Sequence, residues 1–72
     1  MNLIVGAGQV GNGLFDVLRS RVSTSVIDKQ PTVIAKKIDI LHICFPYSKD
    51  FHKQVKDYVK LYNPELTIVY ST

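Results

Sequence analysis

Apolar residues along this chain fall into two kinds of run. Leu3-Ile4-Val5, Ser23 to Asp28 with its β-branched Thr24, Val26 and Ile27, Asp39 to Phe45, and Leu66 to Tyr70 are short and nearly continuous. Such runs fit strands buried on both faces, as in parallel sheets. Between them the period changes. Val10, Leu14, Val17 and Leu18 recur at i, i+4, i+7 and i+8, which predicts a helix from Gln9 with one buried stripe. Arg19 and Arg21 near its end complement the helix dipole. Phe51, Val55, Tyr58, Val59 and Tyr62 repeat at helical spacing over nearly three turns. Ser48 is the expected N-cap, Asp50 sits in the first turn, and Asn63-Pro64 stops the helix. Lys29 to Ile38 is ambiguous. Pro31 breaks it, and it reads either as a short helix capped by Thr32 and running to Lys37, or as irregular chain.

The order is therefore strand, helix, strand, connection, strand, helix, strand. Alternation of this kind implies a parallel sheet with right-handed crossovers. If the third strand lies beside the first, away from the second, the strand order is 2-1-3-4 and the two helices cover opposite faces. The expected class is α/β: a minimal Rossmann-like three-layer fold with a four-stranded parallel sheet. A topological switch point then lies between strands one and three, at whose carboxyl ends ligands bind.

Length and composition narrow this further. Seventy-two residues, 46% hydrophobic and 21% charged, form one domain over 1–72 with no room for a substrate domain. A chain this short buries only about 60% of its unfolded surface and is marginal alone. No run approaches the roughly 18 apolar residues of a membrane span. The opening Met1-Asn2-Leu3-Ile4-Val5-Gly6 has no basic region and is not expected to be a signal peptide, so the expected compartment is the cytoplasm. One cysteine, Cys44, excludes an internal disulfide framework and a cysteine-built zinc site, and His42 and His52 are unrelated by helical or hairpin spacing. The net charge of +3 permits nucleic-acid contact but does not argue for it.

Gly6-Ala7-Gly8-Gln9-Val10-Gly11 matches G-x-G-x-x-G, preceded by a strand, followed by a helix, and answered by Asp28 at the end of the next strand. Each residue type has a physical task. Gly6 allows the tight turn, Gly8 lets a pyrophosphate approach the backbone, and Gly11 lets the helix pack closely on the sheet. First-turn N–H groups and the helix dipole stabilise phosphate charge. Asp28 accepts hydrogen bonds from the ribose hydroxyls and repels a 2′-phosphate, favouring NAD over NADP, a preference Lys29 softens slightly. The plainer reading is a strand-to-helix turn and nothing more. A methyltransferase-type loop is disfavoured by Val10 and the acid-free Leu3 to Val5. A P-loop is excluded because Gly11-Asn12-Gly13 supplies no Gly-Lys-Ser/Thr.

Met1 to Asp28 resembles the opening of NAD-dependent dehydrogenases. Asp39-Ile-Leu-His-Ile-Cys-Phe-Pro46 resembles the "D-hydrophobic-C-x-P" strand of the UDP-glucose/GDP-mannose dehydrogenase family, with similar strands in 6-phosphogluconate and 3-hydroxyisobutyrate dehydrogenases. Tyr70-Ser71-Thr72 looks like the Ser-Thr that closes that family's next strand. The resemblance implies that Phe45, Pro46 and Tyr47 border the adenosine and the nicotinamide-side ribose. It also implies that Ser71 and Thr72 sit near the nicotinamide end, Thr72 close to the reacting centre. Family members carry an extra helix and strand between the positions of Asp28 and Asp39, and a substrate domain with a catalytic cysteine or lysine. The expectation is thus a cofactor-binding part without turnover of its own, with a missing catalytic domain or a second copy as partner.

Other residues read plainly. Cys44 and His42 belong to a buried strand, and His52 is solvated. Lys49, Lys53, Lys56 and Lys60 form a solvated stripe in which Lys53 can pair with Asp57, with polyanion binding as the sharper alternative. Tyr58 and Tyr62 are core and rim, whereas Tyr47 and Tyr70 are better placed to touch a ligand. Two rival functions remain. One is a regulatory sensor: Ile4 to Gly11 and Val26-Ile27-Asp28 also resemble the N-terminal domain of potassium-uptake regulators, which bind NAD or ATP, though Phe45-Pro46 departs from them. The other is a non-binding interaction module, because an open sheet leaves two edges to cover.

Overall fold

A computed structural model describes residues 1–6, 8–28, 34 and 36–70. These form strands β1 (Asn2–Val5), β2 (Thr24–Ile27), β3 (Ile40–Ile43) and β4 (Leu66–Val69), with helices α1 (Gln9–Leu18) and α2 (Phe51–Tyr62). All pairs are parallel and the order is β2-β1-β3-β4. This is the expected minimal Rossmann-like α/β arrangement. The short helix that Thr32 was expected to cap falls largely outside the described residues. Ile34 and residues 36–38 are not helical.

Strand alternation divides the side chains between two faces. Leu3, Val5, Ile27, Leu41 and Ile43 point to one face and cluster with Phe51 and Tyr58 of α2 and with Ile38. Ile4 points to the other face, where a β-carbon on Gly11 of α1 would lie 3.5 Å from its Cγ2. The two helices therefore cover opposite faces. Each fully buried aliphatic side chain contributes roughly 1.5–3 kcal/mol by leaving water. Leu3, Ile4, Val5, Leu41 and Ile43, all at most 1% exposed, make β1 and β3 the centre of the molecule.

The inward stripe of α1 differs from the expected one. Gly11 is buried and Leu14, Phe15 and Leu18 are half-buried, whereas Val10 and Val17 are 49% and 61% exposed. The cause is Gly11. Its would-be β-carbon lies 1.9 Å from the Gly6 carbonyl oxygen, so the backbones touch there and fix the rotation of the helix. Residues 14, 15 and 18 then share the inward face, and Val10 and Val17 are turned onto its flank. Gly13 faces open space, with nothing within 4 Å of a β-carbon, so close packing does not account for it.

The start of α2 also differs. Ser48 is not its N-cap. The Ser48 carbonyl accepts from Phe51 N–H in a preceding turn, and Asp50 occupies the cap position without a side-chain capping bond. The end is as expected: Asn63 takes the left-handed conformation (φ 46°) and donates its N–H to the Val59 carbonyl before Pro64. The Lys53–Asp57 pair is absent. Ion pairs among the described residues are Met1–Asp39, Asp16–Arg19 and Lys37–Glu65.

Candidate functional site

The carboxyl ends of β1, β2 and β3 converge on a cleft of about 360 Å³ lined by Val5, Gly6, Asp28, Phe45, Pro46, Ser48, Gln54 and Tyr58. That volume is at the small end of the range for small-molecule sites. Backbone contacts build its floor. Gly6 N–H donates to the Ile27 carbonyl and Cys44 N–H to the Val5 carbonyl, which aligns the three strand ends. Gly6 has φ +111°, and a β-carbon there would meet Phe45 N at 2.8 Å and the Cys44 carbonyl carbon at 2.9 Å. Only glycine lets the chain leave β1 at this point.

Gly6, Asp28, Phe45 and Pro46 are thus brought together at one cleft. Gly11 is buried beneath Gly6 rather than exposed to the cleft. Gly8, Gln9 and Val10 lie on the surface at the head of α1. Tyr47 is 62% exposed and is not a lining residue; its ring packs on Phe51 and, edge-on, on His52. Ala7, Lys29, Ser71 and Thr72 lie outside the described residues.

The head of α1 is electrostatically bare. Its first turn holds no acidic residue and Gly8 makes no side-chain cap, so first-turn N–H groups lack a capping partner from those positions. Gly8 has ordinary extended dihedrals (φ −77°, ψ −168°), and a β-carbon there would meet nothing within 4 Å. The fold requires glycine at 6 and 11 but not at 8.

Ser48, Gln54 and Tyr58 complete the cleft and were not anticipated there. Gln54 and Tyr58 are one helical turn apart, which puts both on one flank of α2. That spacing was the available signal, but Tyr58 reads first as core, and it is indeed 8% exposed. Burial pushes its phenol above the usual value, and the charges of Tyr62 and Asp28 push it the same way. The Asp28 carboxylate is therefore felt at Tyr58 across the cleft.

A second polar cluster lies on the α1 face of the sheet. His42, 4% exposed, donates from Nε2 to Asn2 Oδ1 at 2.7 Å, and its Nδ1 accepts from the Tyr70 hydroxyl at 2.9 Å. An amide oxygen only accepts, which fixes this neutral tautomer. The Tyr70 ring stacks over the imidazole at 5.7 Å between centroids and shields it from water. Tyr70 is thus engaged with His42 and not with the cleft.

Burial lowers the His42 pKa from its ordinary 6.5. The unfolded chain then binds the proton more tightly than the folded one. Stability is complete above pH 6.5 and declines as pH falls from there through the lower folded value. Urea denaturation between pH 7.5 and 5 should show this decline, and His42→Gln should flatten it. An unchanged slope in the variant would assign the decline to other groups. Asp39, held below its ordinary 3.8 by a hydrogen bond from the Met1 ammonium, loses its contribution only in more acid solution.

Fold and cleft define a class: parallel α/β domains whose first crossover turns on glycines and whose cleft opens at the strands' carboxyl ends. Within or beyond that class, no protein-family model, no curated protein and no solved structure matches this chain. No helix among the described residues is long and apolar enough to cross a membrane, and no cluster among them has the make-up of a metal site.

Proposed function

We propose that this chain binds NAD(H), with the pyrophosphate at the head of α1, the adenosine ribose on Asp28, and the adenosine end in the cleft under Phe45 and Pro46. The observation that carries the reading is Gly8. The fold gives no steric or dihedral reason for glycine there, yet it stands before an uncapped, acid-free helix head where an anion is stabilised. The cleft volume suits one end of a dinucleotide. Asp28, exposed at the end of β2, offers a carboxylate to paired hydroxyls and repels a 2′-phosphate. The reading assigns cofactor capture. Hydride transfer, the chemistry of the dehydrogenases the sequence resembles, needs groups that this reading does not assign to the chain.

Calorimetric titration with NADH and NADPH tests this. Saturable NADH binding, weaker NADPH binding, and a loss of about tenfold or more in Gly8→Val are the expected results, because a branched side chain would fill the phosphate's space. Gly8→Val should stay folded and melt only a few degrees below the parent, since its β-carbon projects into open space and the remaining cost, about 1 kcal/mol, is that of valine in place of glycine at the helix N-cap. A folded chain that binds neither nucleotide would remove the proposal.

A further inference from the structure

One wall of the cleft carries chemistry that the pyrophosphate and ribose contacts leave unused. Phe45 and Pro46 give that wall its apolar surface. The Phe45 ring is held by its neighbours, with Phe51 at 5.2 Å and Tyr58 at 5.9 Å between centroids. Beside it stands Gln54, near the start of α2, three residues after Phe51 and one turn before Tyr58. Its backbone is committed to the helix, the N–H donating to the Asp50 carbonyl at 2.9 Å. Its side chain is not: no hydrogen bond joins the amide to any described residue. A carboxamide presents a donor and an acceptor side by side in one plane. Among the described lining residues, Gln54 has the one side chain that does so.

Resting on the dinucleotide reading above, we propose that Gln54 selects the base, accepting adenine and rejecting purines with an oxo group in place of its amino group. The amide oxygen accepts from the exocyclic amino group, the amide NH2 donates to the adjacent ring nitrogen, and the base lies against Phe45 and Pro46. The selection follows from the pattern on that edge. Adenine shows a donor beside an acceptor, whereas guanine shows two acceptors, and hypoxanthine has the same two. An amide matches the first pattern. It fails the second in either orientation, because its oxygen is left facing another acceptor. Edges with two acceptors are read by arginine or lysine, and neither lines the cleft among the described residues. A well-formed bidentate pair of this kind discriminates by about fivefold to 150-fold. Gln54 is exposed, so water competes for its amide and the effect falls at the low end, about fivefold to tenfold.

The test is calorimetric titration of the full chain with NADH and with reduced nicotinamide hypoxanthine dinucleotide. The analogue replaces the amino group of the base by an oxo group and leaves ribose, pyrophosphate and nicotinamide unchanged. The parent should bind NADH about fivefold to tenfold more tightly than the analogue. Gln54→Met keeps the length and apolar surface of the side chain and removes the amide. Methionine is about as good a helix former as glutamine, so melting should stay at the parental value. In this variant NADH affinity should fall to that of the analogue, with the two dissociation constants within about twofold. Equal binding of both dinucleotides by the parent would overturn base selection and leave dinucleotide binding standing. A parental preference retained in Gln54→Met would likewise overturn the assignment to Gln54. A folded parent that binds neither dinucleotide would overturn the dinucleotide reading, and base selection with it.

Discussion

Gly11→Ala should lower the melting temperature by about 10–20 °C. The added carbon would stand 1.9 Å from the Gly6 carbonyl oxygen and 3.0 Å from its carbon, a collision with backbone that no rotamer relieves. To accept it, α1 must lift from β1, and Leu14, Phe15 and Leu18 lose part of their contact with the sheet. Overpacking of this kind costs on the order of 3 kcal/mol. In a domain of this length each kcal/mol moves the midpoint by roughly 4–8 °C. Gly13→Ala, two residues further on, should move it the other way. A β-carbon at Gly13 meets nothing, and alanine is favoured over glycine inside a helix by about 1 kcal/mol. Thermal unfolding followed by circular dichroism reads both. Equal shifts in the two variants would mean that the Gly6–Gly11 contact does not hold the helix down.

Asp28→Ala should cost NADH affinity about 10-fold to 100-fold and leave NADPH nearly unaffected, abolishing the difference between them. Charge-assisted hydrogen bonds of a carboxylate to paired hydroxyls contribute roughly 1.5–3 kcal/mol, the equivalent of that range. Asp28→Asn separates the two parts of the effect: an amide retains an acceptor but no longer repels a 2′-phosphate. It should keep part of the NADH affinity and improve NADPH. Asp28 is exposed, and none of the ion pairs among the described residues involves it, so neither variant should alter melting. NADH affinity unchanged in a folded Asp28→Ala chain would exclude this carboxylate as the ribose contact.

The sheet order was legible because apolar runs, crossover handedness and the glycine turn all point the same way. The rotation of α1 was not. Helical spacing allows two neighbouring stripes, 10-14-17-18 and 11-14-15-18, and the residue that decides between them has no side chain to weigh. Periodicity counts Gly11 as neutral, yet it is the most tightly held residue of its helix. The cleft was legible where backbone defines it, at Gly6, Asp28, Phe45 and Pro46. It was not legible at Ser48 and Gln54, because polar residues around an amphipathic helix look solvated until the sheet beneath is known. The Asn2–His42–Tyr70 chain depends on the relative register of three strands, and no local pattern in any one of them reports it.

The sheet divides along the seam between β1 and β3 into two β-α-β halves, and the cleft straddles that seam. Val5, Gly6 and Asp28 come from the first half, and Phe45, Pro46, Ser48, Gln54 and Tyr58 from the second. Neither half holds a complete set of walls, so the pocket exists only while the halves are docked. Any molecule that fills it acts as a clasp across the seam. By mass action it stabilises the docked state by an amount that grows with the logarithm of its concentration over its dissociation constant.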